Sequence, residues 1–205
     1  MIIKELIYNS TANYFKITTD DNSVFFADYN LYNILNLSVE LELSKENIKL
    51  LESFTNKQKL LSKILNFISY RNRTEKEIRD RLKKESKDEI IIEDIILHLK
   101  KQGFIDDISF LKSYYENKRR LNHWSSNKIK YELNLKGIKN IDFNNYFDDV
   151  YEMDYNNAKF FLEKKINNWT DKYEKYQVKN KIYVFLSQKG FNYDVISAVT
   201  EDYYD

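Results

Sequence analysis

The residues best suited to chemistry in this 205-residue chain are cationic. Arg71, Arg73, Arg79 and Arg81 form one basic group; Lys118, Arg119 and Arg120 with Lys128 and Lys130 form a second. The arginines all lie between 71 and 120, whereas lysine is used throughout. A guanidinium pairs bidentately with phosphate or carboxylate, so this pattern points to a surface that recognises an anionic partner. A solvated helix face is the plain alternative. Beside the second group, Trp124 offers a ring for stacking on a base or a partner, as do Tyr114 and Tyr115, for which core packing is the competing role.

Other chemistries find no support. Cysteine is absent, which excludes thiol nucleophiles, disulfides and zinc ribbons and predicts a reducing, cytoplasmic setting. Three isolated glycines cannot build a phosphate-cradling loop, so no ATPase activity and no nucleotide cofactor are predicted. His98 and His123 have no partner ligand at metal spacing, and both read as structural residues. The pairs Asp106-Asp107 and Asp148-Asp149 stand where helices begin and read as caps. No catalytic residue, metal site or cofactor is predicted, and the chain reads as a non-enzyme.

The formal net charge is only +1, yet it is unevenly spread. Residues 1–53 carry −4, residues 54–147 carry +8 and residues 148–205 carry −3. The middle of the chain is therefore the part suited to an anion. The opening MIIKELIYNS already mixes charge into its apolar run, and no long uninterrupted apolar window exists, so neither a signal peptide nor a membrane span is predicted.

The elements that must carry these residues are mainly helical. Proline is absent and glycine scarce, which argues against sandwiches and barrels, since those punctuate strands with turn residues. Strands are predicted only at the start, over 2–8, 14–18 and 24–27, with Asp20, Asp21 and Asn22 supplying a turn. Short helices follow, one of them capped by Ser44, and this strand-rich module is predicted to span residues 1–54.

Beyond it one frame recurs three times: Ile78, Leu82 and Ser86; Ile129, Leu133 and Gly137; Ile182, Leu186 and Gly190. Each set is an i, i+4, i+8 stripe along one helix face that ends at a stop. Gly137-Ile138, Gly190-Phe191 and Gly103-Phe104 read as left-handed stops followed by an apolar residue that folds back. A helix before and after each stripe gives trios over 57–70, 74–84 and 89–101; 107–121, 126–136 and 142–149; and 155–168, about 172–189 and 193–201. The predicted architecture is three tandem three-helix repeats, residues 55–105, 106–150 and 151–205. Thr74 and Glu77 form a predicted capping box in the first.

Three stretches carry a resemblance to a known family. LNFISYRNRTEKEIRDRL from Leu65 supplies Arg71, Arg73, Thr74, Glu77, Ile78 and Leu82. LKKQGFIDDISF from Leu99 supplies Gly103, Phe104, Ile105, Asp106, Asp107 and Phe110. Tyr114, a Lys/Arg cluster, Ile129, Leu133, Lys136, Gly137 and Ile138 follow, and Ala158 to Ile196 repeats the order, ending KGFNYDVI. In this succession, over roughly residues 55–203, the chain resembles the RecX family. Asn122 to Ser126 stand where that family usually places a glycine and a proline, and Ser86 replaces a usual glycine.

The resemblance implies a monomeric regulator that binds RecA recombinase filaments on DNA and lowers their ATPase and strand-exchange activity in recombination and repair. It implies contact with DNA through the filament or weakly by itself, and none with membranes. The rival is a direct DNA-binding helix-turn-helix protein acting without RecA, whose affinity would fall steeply with salt. The acidic first and last thirds speak against a protein that coats DNA alone.

Overall fold

The alternating runs at the start of the chain become strands β1 (Ile3–Asn9), β2 (Tyr14–Thr19) and β3 (Val24–Ala27). They form an antiparallel meander in chain order in the computed structural model, which describes residues 1–11 and 13–204. Ala12, and Asp205 at the end of the third expected repeat, lie outside the described residues. The β2–β3 turn closes as its residue types suggest: the Asp21 carboxylate accepts from the Thr19 hydroxyl at 2.6 Å and from Ser23 N at 3.0 Å. One sheet face buries Ile3, Ile17, Phe25 and Ala27 with Leu37, Leu43 and Leu51.

A short helix α1 (Tyr29–Ile34) leads to α2 (Lys45–Ser69), capped by Ser44, whose hydroxyl accepts from Asn47 N at 3.1 Å. Here the structure corrects the sequence reading, which divided this region near residue 54. The helix runs unbroken for 25 residues, because neither proline nor glycine interrupts it. Thr55, at the expected break, is buried, and its hydroxyl accepts from Phe26 N at 2.9 Å, tying the helix to β3.

Next come α3 (Glu75–Glu85) and α4 (Glu89–Lys101), the latter started by Asp88, whose carboxylate accepts from Ile90 N and Ile91 N at 3.0 and 3.2 Å. Then follow α5 (Asp107–Leu121), α6 (Ser126–Leu135), α7 (Val150–Glu163), α8 (Ile166–Thr170), α9 (Lys175–Gln188) and α10 (Tyr193–Tyr204). The fold is thus mainly helical, with three-helix repeats behind a small sheet. The stripes that defined the repeats are the core: Ile78, Leu82, Ile129, Leu133, Ile182 and Leu186 are each 0% exposed. At about 1.5–3 kcal/mol per fully buried aliphatic side chain, these six alone make a large apolar contribution to stability.

Three helix predictions are corrected. The helix expected over 142–149 is only a 3-10 turn at Phe143–Asn145, because the Asp142 carboxylate closes a local turn by accepting from Asn144 N at 3.1 Å. The next helix accordingly starts at 150, ahead of the expected 155. The helix expected over 155–168 is divided, α7 ending at Glu163 and α8 following at Ile166–Thr170, whereas α9 falls within the expected 172–189, with Glu174 and Gln177 forming a capping box. Of the stops, Gly137 and Gly190 close as expected: Ile138 N donates to Leu133 O at 3.0 Å and Phe191 N to Leu186 O at 3.2 Å. Gly103 is left-handed, but Phe104 stays 49% exposed and does not fold back.

The chain divides into two compact units, residues 1–72 with 78–102, and residues 73–77 with 103 onward. The capping box is internal to the second. Glu77 N donates to Thr74 Oγ1 at 3.3 Å, Thr74 N to Glu77 Oε2 at 3.2 Å, and the Thr74 hydroxyl to Lys136 O at 2.7 Å.

Candidate functional site

The second basic group lies wholly in the second unit, on α5, α6 and the turn that joins them. Ser125 caps α6, accepting from Lys128 N at 3.3 Å, and His123 takes a left-handed conformation to make the turn tight. The end of α5 therefore comes against the start of α6. Lys118 Nζ sits 4.7 Å and Lys128 Nζ 4.2 Å from the Trp124 ring centroid. Lys118 is also 5.4 Å, and Lys136 5.8 Å, from the Tyr114 ring. Lys136, Tyr114, Lys118, Trp124 and Lys128 form a continuous series of alternating cation and ring.

Each such contact contributes on the order of 0.5–1 kcal/mol at an exposed site, enough to bias a flexible lysine toward one position. Lys136 also pairs with Glu77 at 3.2 Å. Among the described residues Lys118, Lys128 and Lys130 have no carboxylate in ion-pair range, so their charges face outward unneutralised. Two ammonium groups thus stand within cation–π range of the Trp124 ring.

Arg119 is a correction to the predicted surface. It is 3% exposed, with Nη1 donating to Asp149 at 2.6 Å and Nη2 to Glu116, over the rings of Tyr115 and Phe147 at 5.0 and 5.1 Å. Its helix position, four residues after Tyr115, points it inward. Asp149 correspondingly makes no side-chain cap on α7, contrary to the capping prediction; the guanidinium holds its carboxyl below the usual range. Asp106 does cap α5, accepting from Ile108 N and Ser109 N at 3.1 and 2.9 Å, while Asp107 accepts from Glu75 N at 2.9 Å. Arg120 is exposed but paired with Glu116 at 2.8 Å.

The first basic group is divided. Arg73 belongs to the second unit; Arg71, Arg79 and Arg81 belong to the first. Arg79 makes a bidentate pair with Glu93, with Nη2 to Oε2 at 2.9 Å, and lowers that carboxyl's pKa. Arg81 pairs with Glu85 at 2.9 Å, and Arg71 donates to Asn72 O at 2.9 Å. The guanidiniums of α3 are thus engaged within their own unit.

Two buried polar residues on α7 were missed by the sequence reading. Asp154, 4% exposed, accepts from Ser126 N at 2.8 Å and Ser126 Oγ at 2.5 Å, and burial pushes its carboxyl upward. Asn157, 3% exposed, donates to Arg119 O at 3.0 Å and to Trp124 O at 3.4 Å. With its amide hydrogens so used, its oxygen must accept from His123 Nδ1 at 3.0 Å, which fixes the imidazole tautomer. The ring also stacks on Phe160 at 3.6 Å, so His123 is structural. The available signal was polar residues at stripe positions, since 154, 158 and 162 share one helix face with the buried Ala158 and Leu162.

Family models described as the first and the third three-helix domain of RecX match residues 61–104 and 152–200. The chain is 35% identical to the regulatory protein RecX of Finegoldia magna, over 99% of this chain and all of that one. This chain belongs to the RecX family. The RecX of Clostridium beijerinckii is 34% identical over 80% of this chain and 76% of its own. A crystal structure of regulatory protein RecX matches with a TM-score of 0.80 at 23% identity over 98% of both chains, which shows the shared fold. RecX from Lactobacillus salivarius matches with a TM-score of 0.64 at 27% identity, over 72% of this chain and 96% of that one. A RecX regulatory role follows from this membership. No helix among the described residues is long and apolar enough to cross a membrane, and none of their His, Asp and Glu side chains cluster as a metal site.

Proposed function

We propose that this chain binds RecA recombinase filaments on DNA and restrains their ATPase and strand-exchange activity, with no reaction of its own. The observation that carries the reading, beyond family membership, is the lysine–aromatic series on α5 and α6. It presents the unneutralised charges of Lys118 and Lys128, with Lys130 exposed on α6 beside it, each a point charge suited to a carboxylate or phosphate of the partner. Arg71, Arg73 and Arg120 supply further exposed or half-exposed cations. A filament repeats its surfaces, so contacts that are weak singly sum to avidity when several repeats engage at once. The protein acts as a monomer in the cytoplasm, and meets DNA chiefly through the filament.

The test is the DNA-dependent ATPase of the cognate RecA, titrated with this protein at sub-stoichiometric ratios, with binding to bare DNA followed in parallel. Suppression well below one protein per RecA, with weak binding to bare DNA, is the expected result. Unchanged RecA activity together with tight, strongly salt-dependent DNA binding would replace this reading by direct action on DNA.

A further inference from the structure

The third repeat holds a cleft of about 400 Å³ between the α7–α8 turn and the end of α10. Leu162, Ile166 and Val199, otherwise buried in the core of that repeat, form its apolar floor. Small-molecule sites run from about 300 to 1,000 Å³ and combine such a lining with a few polar groups, so the cleft has the size and floor of one.

Its rim carries a negative charge that nothing nearby neutralises. Lys159 and the Tyr155 hydroxyl both donate to Asp202 Oδ2, at 3.1 and 2.5 Å, so the one cation lining the cleft among the described residues is spent on that oxygen. Asp202 Oδ1 accepts from neither, and Glu163 has no hydrogen bond or ion pair among the described residues. The backbone adds to the same sign. Glu163 ends α7, Asp202 lies in the last turn of α10, and neither helix has a basic residue in that turn. A helix C-terminus carries on the order of half a negative charge and favours cations. Two such ends therefore border one cleft, each with a carboxylate that its own dipole disfavours. Short α8, which begins at the cleft with Ile166, aligns only 5 residues and offsets little of this. Lys164, next after α7, lays its ammonium 3.7 Å from the centroid of the Phe160 ring, which stacks on His123, and does not line the cleft.

We infer that this cleft binds a small aliphatic amine in its ammonium form. Glu163 supplies the counter-charge, Asp202 Oδ1 and the Asn167 amide oxygen are further acceptors on the rim, and the hydrocarbon chain covers Leu162, Ile166 and Val199. A metal ion suits the cleft less well: the floor is hydrocarbon, and no three His, Asp or Glu side chains among the described residues stand together as ligands. Occupation of the cleft goes beyond the RecA reading and needs no filament.

The full-length protein, labelled at its Ile, Leu and Val methyls, is titrated by NMR with pentylamine, which is protonated at neutral pH as a lysine side chain is. Saturable shifts are expected at Leu162, Ile166 and Val199, with Ile129 and Leu133 of the second repeat unmoved. The uncharged n-pentanol, of the same shape, should bind several-fold more weakly. Glu163→Gln should weaken pentylamine several-fold and leave n-pentanol unchanged, with circular dichroism checking the fold. A blocked Gly-Lys-Gly peptide, which carries the same ammonium on a bulkier frame, should bind more weakly than pentylamine. No shift at the three methyls would overturn the site, whatever happens in the RecA assay. Equal binding of amine and alcohol, or a Glu163→Gln protein that binds pentylamine undiminished, would overturn the ammonium assignment. Tighter binding of the peptide would overturn the free amine in favour of a partner's lysine side chain.

Discussion

Arg119 and Asp149 are bonded at 2.6 Å between Nη1 and Oδ1, joining the end of α5 to the residue before α7. The guanidinium is buried while the carboxylate side chain is 42% exposed, so the link is anchored from one side only. It lies where the second repeat hands the chain to the third, and the Asn157 bond to Arg119 O reinforces it.

Asp149→Ala is expected to cost about 1–3 kcal/mol in urea unfolding, because it removes a charged partner from a buried donor. The carboxyl's pKa is depressed in the fold. Its contribution is thus present above the ordinary aspartate pKa and is lost as pH falls through the lowered folded value. The stability gap between wild type and Asp149→Ala should close over that acid range. A gap that persists there would mean the carboxylate's charge is not what stabilises.

The opposite sign is expected at Asp154. Desolvation raises its pKa, so its ionisation in the fold is unfavourable at neutral pH, and the fold is relatively stabilised as pH falls and the carboxyl protonates. Asp154→Asn keeps an acceptor for Ser126 N without burying a charge. Measured by denaturation across acid to neutral pH, the variant should gain on wild type as pH rises. Asp154→Ala, which leaves Ser126 N without its acceptor, should be less stable than Asp154→Asn by about 1–3 kcal/mol at every pH, since neither variant carries the titrating carboxyl.

Gly190 and Gly103 separate two reasons for glycine. Both have positive φ, +87° and +75°, but a Cβ on Gly190 would stand 2.8 Å from Ser125 Oγ, while one on Gly103 would meet nothing within 4 Å. Gly103→Ala should cost about 1–2 kcal/mol from the left-handed backbone alone. Gly190→Ala should cost more, since it also strains the hydroxyl that holds Lys189 O. Thermal melts of the two variants give the order directly.

Replacing Arg71, Arg73, Lys118 and Arg120 together with Ala should leave helicity by circular dichroism intact and weaken filament binding. Adding Lys128→Ala should weaken it further, as both partners of the Trp124 ring are then gone. Arg119→Ala should behave differently, lowering the melting temperature through loss of its ion pairs and ring contacts. Undiminished filament binding by the folded quadruple variant would remove those residues from the interface.

Much of this protein was determined locally. The i, i+4, i+8 stripes placed Ile78, Leu82, Ile129, Leu133, Ile182 and Leu186 in the core, because helical period alone decides which face is apolar. Caps such as Ser44, Thr74 and Asp106 were readable for the same reason, their hydrogen bonds reaching only two or three residues along the chain. The absence of proline and glycine from residues 45–69 is the local signal for the single long α2, which the module boundary expected near residue 54 overrides.

What tertiary structure decided is which charges are free. Arg119 and Arg120 are sequence neighbours, yet one is buried against Asp149, 30 residues away, and the other is exposed. No local pattern encodes that distant carboxylate. The same holds for Lys118 and Lys128 about Trp124, which the tight turn at His123 brings together, and for Lys189, brought to the cap of α6 by the Ser125 hydroxyl 64 residues away. Composition and period set the helices and their buried faces; pairing across the chain, which depends on three-dimensional proximity, set the charge pattern that a partner meets.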